Sequence, residues 1–226
     1  MIVTIHQPQY LPWLGYFDKI NRADIFVLLD NVQYKKNEWQ NRNRIKTANG
    51  WQWVTVPVKY KFPEKIYEVK INNSIDWKRK HLNAIFFNYA KSQYFRMYQS
   101  FFQDVFSRDW ETLLDINVHL IYFLMESLCI DTKFLMASDL RLREDPTDRL
   151  IDICKEVGAD VYLAGKDGKN YMDIERFEEE HISITFQDFQ HPTYNQLYMG
   201  FEYNMSIIDL LFNYGQDSMK VLGGEC

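Results

Sequence analysis

Residues 2–30 read IVTIHQPQYLPWLGYFDKINRADIFVLLD, and this stretch decides the fold class. Ile2 to His6 is a short β-rich run. It meets Gln7-Pro8-Gln9-Tyr10-Leu11-Pro12, where two prolines rule out a central strand and a helix interior, so a loop is forced. From Trp13, the residues Leu14, Phe17, Ile20 and Ala23 fall at helical spacing, which predicts a helix over 13–23. Ile25-Phe26-Val27-Leu28-Leu29-Asp30 follows as a continuous apolar run of strand length. Unbroken apolarity suits a strand covered on both faces, as in a parallel sheet, and parallel neighbours require a crossover such as the 13–23 helix. The stretch therefore predicts a strand-loop-helix-strand unit.

Further along, Trp51 to Val58 and Tyr67 to Ile71 alternate well enough to be strands, with Asn49-Gly50 as a turn before the first. The pattern turns helical between 76 and 128, with Ser74, Asp76 and Asp109 as candidate N-caps, and a helical insert at about 76–130 is expected. Lys133 to Met136 reads as a strand. Asp145-Pro146-Thr147 opens a helix that Gly158 ends. Val161 to Ala164 and Ile182 to Phe186 are two more strands, and residues 205–213 form a closing helix. Strands alternating with helices predict an α/β fold with a central, mainly parallel sheet and flanking helices, in one domain spanning 1–226.

Length and composition agree. A chain of 226 residues with 46% hydrophobic and 25% charged residues can bury a sizeable core. The longest apolar runs end after a few residues, so no membrane span is expected. No basic segment precedes an apolar one at the start, which argues against a secretory signal and for a cytoplasmic location. Cys129, Cys154 and Cys226 lie far apart and outside any metal-binding spacing. Neither a disulfide framework nor a zinc site is suggested, and Cys129 and Cys154 read as core residues on helix faces. A net charge of -5 disfavours a nucleic-acid polymer as partner, although the basic cluster around Arg42-Asn43-Arg44-Ile45-Lys46 suits a single small anion.

Ligands of an open parallel sheet bind beyond the carboxyl ends of its strands, so the polar clusters at those ends are the candidate site. His6 with Gln7 and Tyr10 follows the first strand; Asp30 with Gln33 and Tyr34 follows the second. Lys166, Lys169 and Tyr171 follow Val161 to Ala164. His6 is a candidate general acid or base, or a hydrogen-bonded histidine at a strand end. Asp30 is a turn cap or a carboxylate aimed into the crevice. In an extended segment Arg42, Arg44 and Lys46 share one face, which suits the diphosphate of a nucleotide-linked sugar; an edge strand with solvated charges is the alternative. Trp39 and Tyr34 flank that segment, and with Asn41 and Trp13 they complete the candidate binding set. The segment 165–169 resembles an anion-binding loop in composition without matching a phosphate-loop or dinucleotide fingerprint. No serine-hydrolase elbow, HExxH, EF-hand or spaced Cys/His set is present, so a serine hydrolase and a zinc enzyme are not expected; no metal-ligating residue is assigned, and the cofactor is left open.

The stretches IHQPQYLPWLGYFDKI, DIFVLLDNVQY, WQNRNRIK and WVTVPV occur in that order, followed by DRLIDICKEVGADVYLAGKDGKNYMD, ITFQDFQHPTYNQ and MSIIDLLFNYG. Together they resemble the WbqC-like family over nearly the whole chain. The resemblance marks Gln7, Pro8, Tyr10, Leu11, Pro12 and Trp13, the Asp30 to Tyr34 turn and Asn41 to Lys46 as family motif positions. It implies a link to O-antigen and other surface polysaccharides. Ala164 stands where the family often has serine, which argues against a serine nucleophile there. The order of elements is also similar to adenylate-forming ligases of the pantothenate synthetase type, but Trp13-Leu14-Gly15-Tyr16 provides no His-x-Gly-His signature.

The leading expectation is an acyl or aminoacyl transferase acting on the amino group of a nucleotide-linked sugar in surface polysaccharide biosynthesis. His6 would be the base and Arg42, Arg44 and Lys46 the diphosphate clamp. Two alternatives stand beside it: a non-catalytic sugar-binding or scaffold protein of polysaccharide assembly, and an ATP-dependent amide ligase that uses magnesium, with Asp30 near the metal. Assembly into a homo-oligomer is left open.

Overall fold

The structure, a computed structural model, describes residues 1–170 and 172–224. In chain order the elements are β1 (Ile2–His6), α1 (Leu14–Asn21), β2 (Ile25–Leu28), β3 (Arg42–Thr47), β4 (Gly50–Thr55), β5 (Val58–Lys59) and β6 (Lys70–Ile71). The helices α2 (Trp77–Tyr89), α3 (Phe95–Ser107) and α4 (Leu113–Ser127) follow. The chain closes with β7 (Lys133–Met136), α5 (Pro146–Val157), β8 (Val161–Ala164), α6 (Ile174–Glu179), β9 (Ser183–Phe186), α7 (Ile207–Tyr214) and α8 (Ser218–Val221). These elements divide into two compact units, each assembled from separate stretches of chain.

The first unit comprises residues 1–8, 15–32 and 131–190. Its five strands form one sheet in the order β7-β2-β1-β8-β9, every pairing parallel, so the α/β reading with a parallel central sheet holds. The two faces follow from the twofold period of a strand. Val3, Ile5, Ile25, Val27, Tyr162 and Ala164 share a core with Leu150, Ile151, Ile153 and Cys154 of α5 and Phe177 of α6. Phe26 turns to the opposite face, where Tyr16 of α1 meets it edge-on at 5.7 Å between ring centroids. The caps of α5 are those read from its sequence. Asp145 accepts from the N–H groups of Thr147 and Asp148, Pro146 opens the first turn, and Gly158 closes the helix at φ 72°, a left-handed conformation that favours glycine.

The second unit comprises residues 9–14, 33–130 and 191–226, of which 225 and 226 lie outside the described residues. It holds the antiparallel hairpin β3–β4, the small β5–β6 pair and the helical segment expected at about 76–130. Phe212 of α7 is the hub of its aromatic core, with Tyr89, Phe95 and Phe102 at centroid distances of 5.0, 5.2 and 5.4 Å. Thr112 rather than Asp109 caps α4, its side chain accepting from the N–H of Asp115. Asp109 instead pairs with Lys78 at 2.7 Å. Cys129, read from sequence as a plain core residue, is disulfide-bonded; its wide separation in sequence from the other cysteines gave no spacing signal. Cys154 is a buried free thiol. Among the described residues, no helix is long and apolar enough to cross a membrane.

Candidate functional site

Five parallel strands deliver their carboxyl ends to one edge of the first unit. The strand order reverses between β1 and β8, because β2 and β7 lie on one side of β1 and β8 and β9 on the other. That reversal is a topological switch point, the place at which open parallel sheets characteristically take their ligands. His6 ends β1, Leu28 ends β2 just before Asp30, and Ala164 ends β8 before Gly165. His6, Gln7, Asp30, Lys166 and Lys169 thus all follow strand ends on the same edge. Tyr171 lies outside the described residues.

His6 is half-buried, with its ring 4.8 Å from that of Tyr16. Its Nδ1 lies 3.1 Å from the Gln7 carbonyl, a contact that only a protonated Nδ1 can make as a donor. The neutral ring then carries its lone pair on Nε2. The Tyr16 hydroxyl donates to the same Gln7 carbonyl at 3.2 Å, which fixes the loop beneath the imidazole. Burial, and after it the positive charge of Lys19, pull the His6 pKa down to about 3, while the Gln7 contact opposes the shift. The imidazole is therefore uncharged at neutral pH.

Lys19 was not singled out from the sequence. It is only 3% exposed, and its Nζ donates to the Ile5 carbonyl at 2.9 Å. Burial lowers its pKa to about 7. A signal existed: Lys19 shares helical spacing with Tyr16, Ile20 and Ala23, so a lysine stands on the buried stripe of α1.

Asp30 is wholly buried. Its Oδ1 accepts from the Ser138 N–H at 2.9 Å, holding the turn after β7, while Oδ2 has no hydrogen-bonding partner among the described residues. The neighbouring Asn31 donates to the Ala137 carbonyl at 3.2 Å. Lys166 and Lys169 lie exposed on a short 3-10 turn, Lys166–Asn170. Gln187, at the end of β9, donates from Nε2 to the Gly15 carbonyl at 2.8 Å and to the Asp18 carboxylate at 2.7 Å.

The remaining sequence candidates belong to the second unit, where they form a different environment. In the β3–β4 hairpin, Arg44 stands opposite Trp53 and Lys46 opposite Trp51. The Arg42 guanidinium lies 4.3 Å from the Trp53 ring centroid, and that of Arg44 lies 5.0 Å from Trp51 and 5.6 Å from Trp39. The three indoles are 36–40% exposed, so Arg42, Arg44, Trp39, Trp51 and Trp53 make an accessible cationic and aromatic face. Trp51 and Trp53 were read from sequence only as strand residues, although their i, i+2 spacing already placed them on one side. Burial lowers the Arg44 pKa, against the opposing charge of Glu202.

Lys46 continues the same register but is buried, and its Nζ donates to the Met199 and Gly200 carbonyls at 3.3 and 2.9 Å. Its own N–H donates to the Tyr89 hydroxyl, which donates to Asp209 at 2.9 Å; Tyr194 donates to the other Asp209 oxygen at 2.8 Å. Tyr10 is buried with its hydroxyl 2.9 Å from His81 Nδ1, and Asn41 donates to the Val56 carbonyl at 2.8 Å. Tyr34 is buried beside Tyr60, and burial pushes its phenol up to about 12. Gln33 is exposed and bridges Lys65, while Trp13 is half-buried and bridges Ser206, both antiparallel. Among the described residues, no three His, Cys, Asp or Glu side chains converge as a metal site would require.

A doubly wound parallel sheet with an imidazole and a buried lysine at its switch point defines an α/β protein of the open parallel-sheet class. The sequence is 38% identical over 224 residues to a Mycobacterium tuberculosis protein named "Uncharacterized protein Rv1507c", covering 97% of this chain and 96% of that one. Residues 7–221 match the WbqC-like protein family, and the chain belongs to it. No solved structure matches it.

Proposed function

We propose that the chain transfers an acyl or aminoacyl group to the amino group of a nucleotide-linked sugar, a step of surface-polysaccharide (O-antigen) biosynthesis. The observation that carries this reading is the neutral His6 at the switch point, with Nδ1 engaged by the Gln7 carbonyl and the lone pair left on Nε2. In such a step the amine nitrogen attacks the carbonyl carbon of an activated ester or thioester. The new C–N bond forms as the leaving group departs with its bonding pair. Nε2 accepts the proton that the amine gives up and returns it to the leaving group. A pKa of about 3 makes His6 a weak base by itself. An anion bound beside Lys19 offsets the charge that helps to depress it and raises its basicity.

The hairpin of the second unit supports the recognition part of the proposal by itself. Arg42 and Arg44 offer guanidinium donors to phosphate oxygens, and the indoles of Trp39, Trp51 and Trp53 offer faces to a base or sugar ring. The same face also favours a second reading, a sugar-binding protein without turnover. The deciding experiment incubates the protein with nucleotide-linked amino sugars and a panel of acyl thioesters and esters, and reads the mass gained by the sugar. Product formation that falls by about 10²-fold or more in His6→Gln, at an unchanged melting temperature, is the expected result. Nucleotide-sugar binding with no product from any donor favours the binding protein instead.

A further inference from the structure

The β1–β2 ladder runs through the pair His6 and Leu28, whereas the β1–β8 ladder ends at the pair Thr4 and Leu163. Beyond Thr4 the two central strands part, and the Ile5 carbonyl is taken by Lys19 Nζ rather than by a strand partner. A Cβ built on Gly165, the first residue after β8, would stand 4.0 Å from that nitrogen. The ammonium therefore occupies the split between β1 and β8, the crevice that a doubly wound sheet offers to ligands.

Its environment lacks compensation. Lys19 is 97% removed from solvent, it forms no ion pair among the described residues, and one carbonyl oxygen meets one of its three N–H groups. Asp18, the adjacent carboxylate, is engaged by Arg22 and Gln187. A buried ammonium without a counter-charge is a burden on folding. Burial eases this burden by letting Lys19 give up its proton near neutral pH, and an oxyanion beside it would hold the charged form instead, so its place here suits an anionic ligand.

We infer that Lys19 is the anion-holding group of the switch-point crevice and binds phosphate or carboxylate oxygens of a ligand between the ends of β1 and β8. This deepens the acyl-transfer reading and rests on its choice of crevice. The oxyanion comes either from the sugar nucleotide's diphosphate or from a carboxylate on the acyl donor.

The test is calorimetric titration of the full chain with inorganic pyrophosphate, inorganic phosphate and acetate at pH 7 and low salt, on the wild type, Lys19→Met and Lys19→Arg. The wild type is expected to bind, and Lys19→Met to lose at least tenfold in affinity while melting at the same or a higher temperature. Lys19→Arg should retain part of the affinity. Preference for pyrophosphate assigns the site to a diphosphate, and preference for acetate to a carboxylate. A lysine held only for its bond to Ile5 would give the opposite pattern, lower stability and unchanged anion binding. Should Lys19→Met fail to fold, the Lys19 side-chain methylene signal in wild-type NMR spectra decides. Movement on adding pyrophosphate or acetate supports the inference, and a signal unmoved by all three anions overturns it, as does a wild type that binds none of them. Anion binding through Lys19 without sugar turnover would sink the acyl-transfer reading alone; turnover without any anion effect at Lys19 would sink this inference alone.

Discussion

At His6 the proton balance between folded and unfolded chains runs in one direction. Its pKa is about 3 in the fold against an ordinary 6.5, and His81, buried between Tyr10 and the Thr55 carbonyl, sits at about 4. A depressed histidine contributes stability that is fully present above pH 6.5 and is lost as pH falls through that window, because the unfolded chain takes up the proton first. The slope approaches about 1.4 kcal/mol per pH unit for each histidine. Urea unfolding between pH 7 and 4 should therefore show a steep acid limb, visibly shallower in His6→Gln; equal slopes would place His6 in a more hydrated setting than its packing indicates. The position of His6 was legible because a strand end is marked by local sequence. Its electrostatics were not, since they depend first on burial by the folded chain and then on Lys19, thirteen positions later on another element. The partner of Asp30 is farther still, at Ser138.

The β3–β4 hairpin turns sequence alternation into a surface. Arg42, Arg44 and Lys46 follow one register, but only the two arginines reach the exposed indoles, because Lys46 is drawn to the Met199 and Gly200 carbonyls. Nothing near Lys46 in sequence could reveal those acceptors. Replacing Arg42 and Arg44 by Ala should weaken nucleotide-sugar binding by roughly 1.5–3 kcal/mol for each charge-assisted bond lost. Quenching of tryptophan fluorescence is a direct readout, and a double variant with wild-type affinity would leave the arginines as surface charges. Asp209→Asn attacks the same region from beneath. Its carboxylate accepts from both Tyr89 and Tyr194, and an amide nitrogen would turn one of those donors against another donor, costing about 1–3 kcal/mol in chemical unfolding. Helix ends varied in legibility for a similar reason. Asp145 and Gly158 act on their own turns and could be read directly, whereas Asp109 was claimed by Lys78 from a different helix.

Over the whole molecule, each unit draws on three separated stretches of chain, and β1 and β2 find their further sheet partners only after the long excursion from 33 to 130. Sequence periodicity identified these strands and their parallel sense, but the strand order depends on pairings across more than a hundred residues. A fragment of residues 1–130 keeps β1 and β2 and lacks β7, β8 and β9. It should show no cooperative thermal transition from the parallel sheet, and a sharp unfolding peak with native-like protection of β1 amides would contradict this. The same topology bears on synthesis in the cell. The ribosome makes the middle strand of the sheet first, yet about 150 residues separate β1 from β8, a delay of roughly 8–30 s at ~5–20 residues per second. During that interval Ile2–His6 has no permanent neighbour on its β8 side, and an apolar segment so placed is open to pairing with other nascent chains. Translation speed and chaperone cover over the stretch between β1 and β8 should therefore govern the yield of folded protein more strongly than the final stability of the fold.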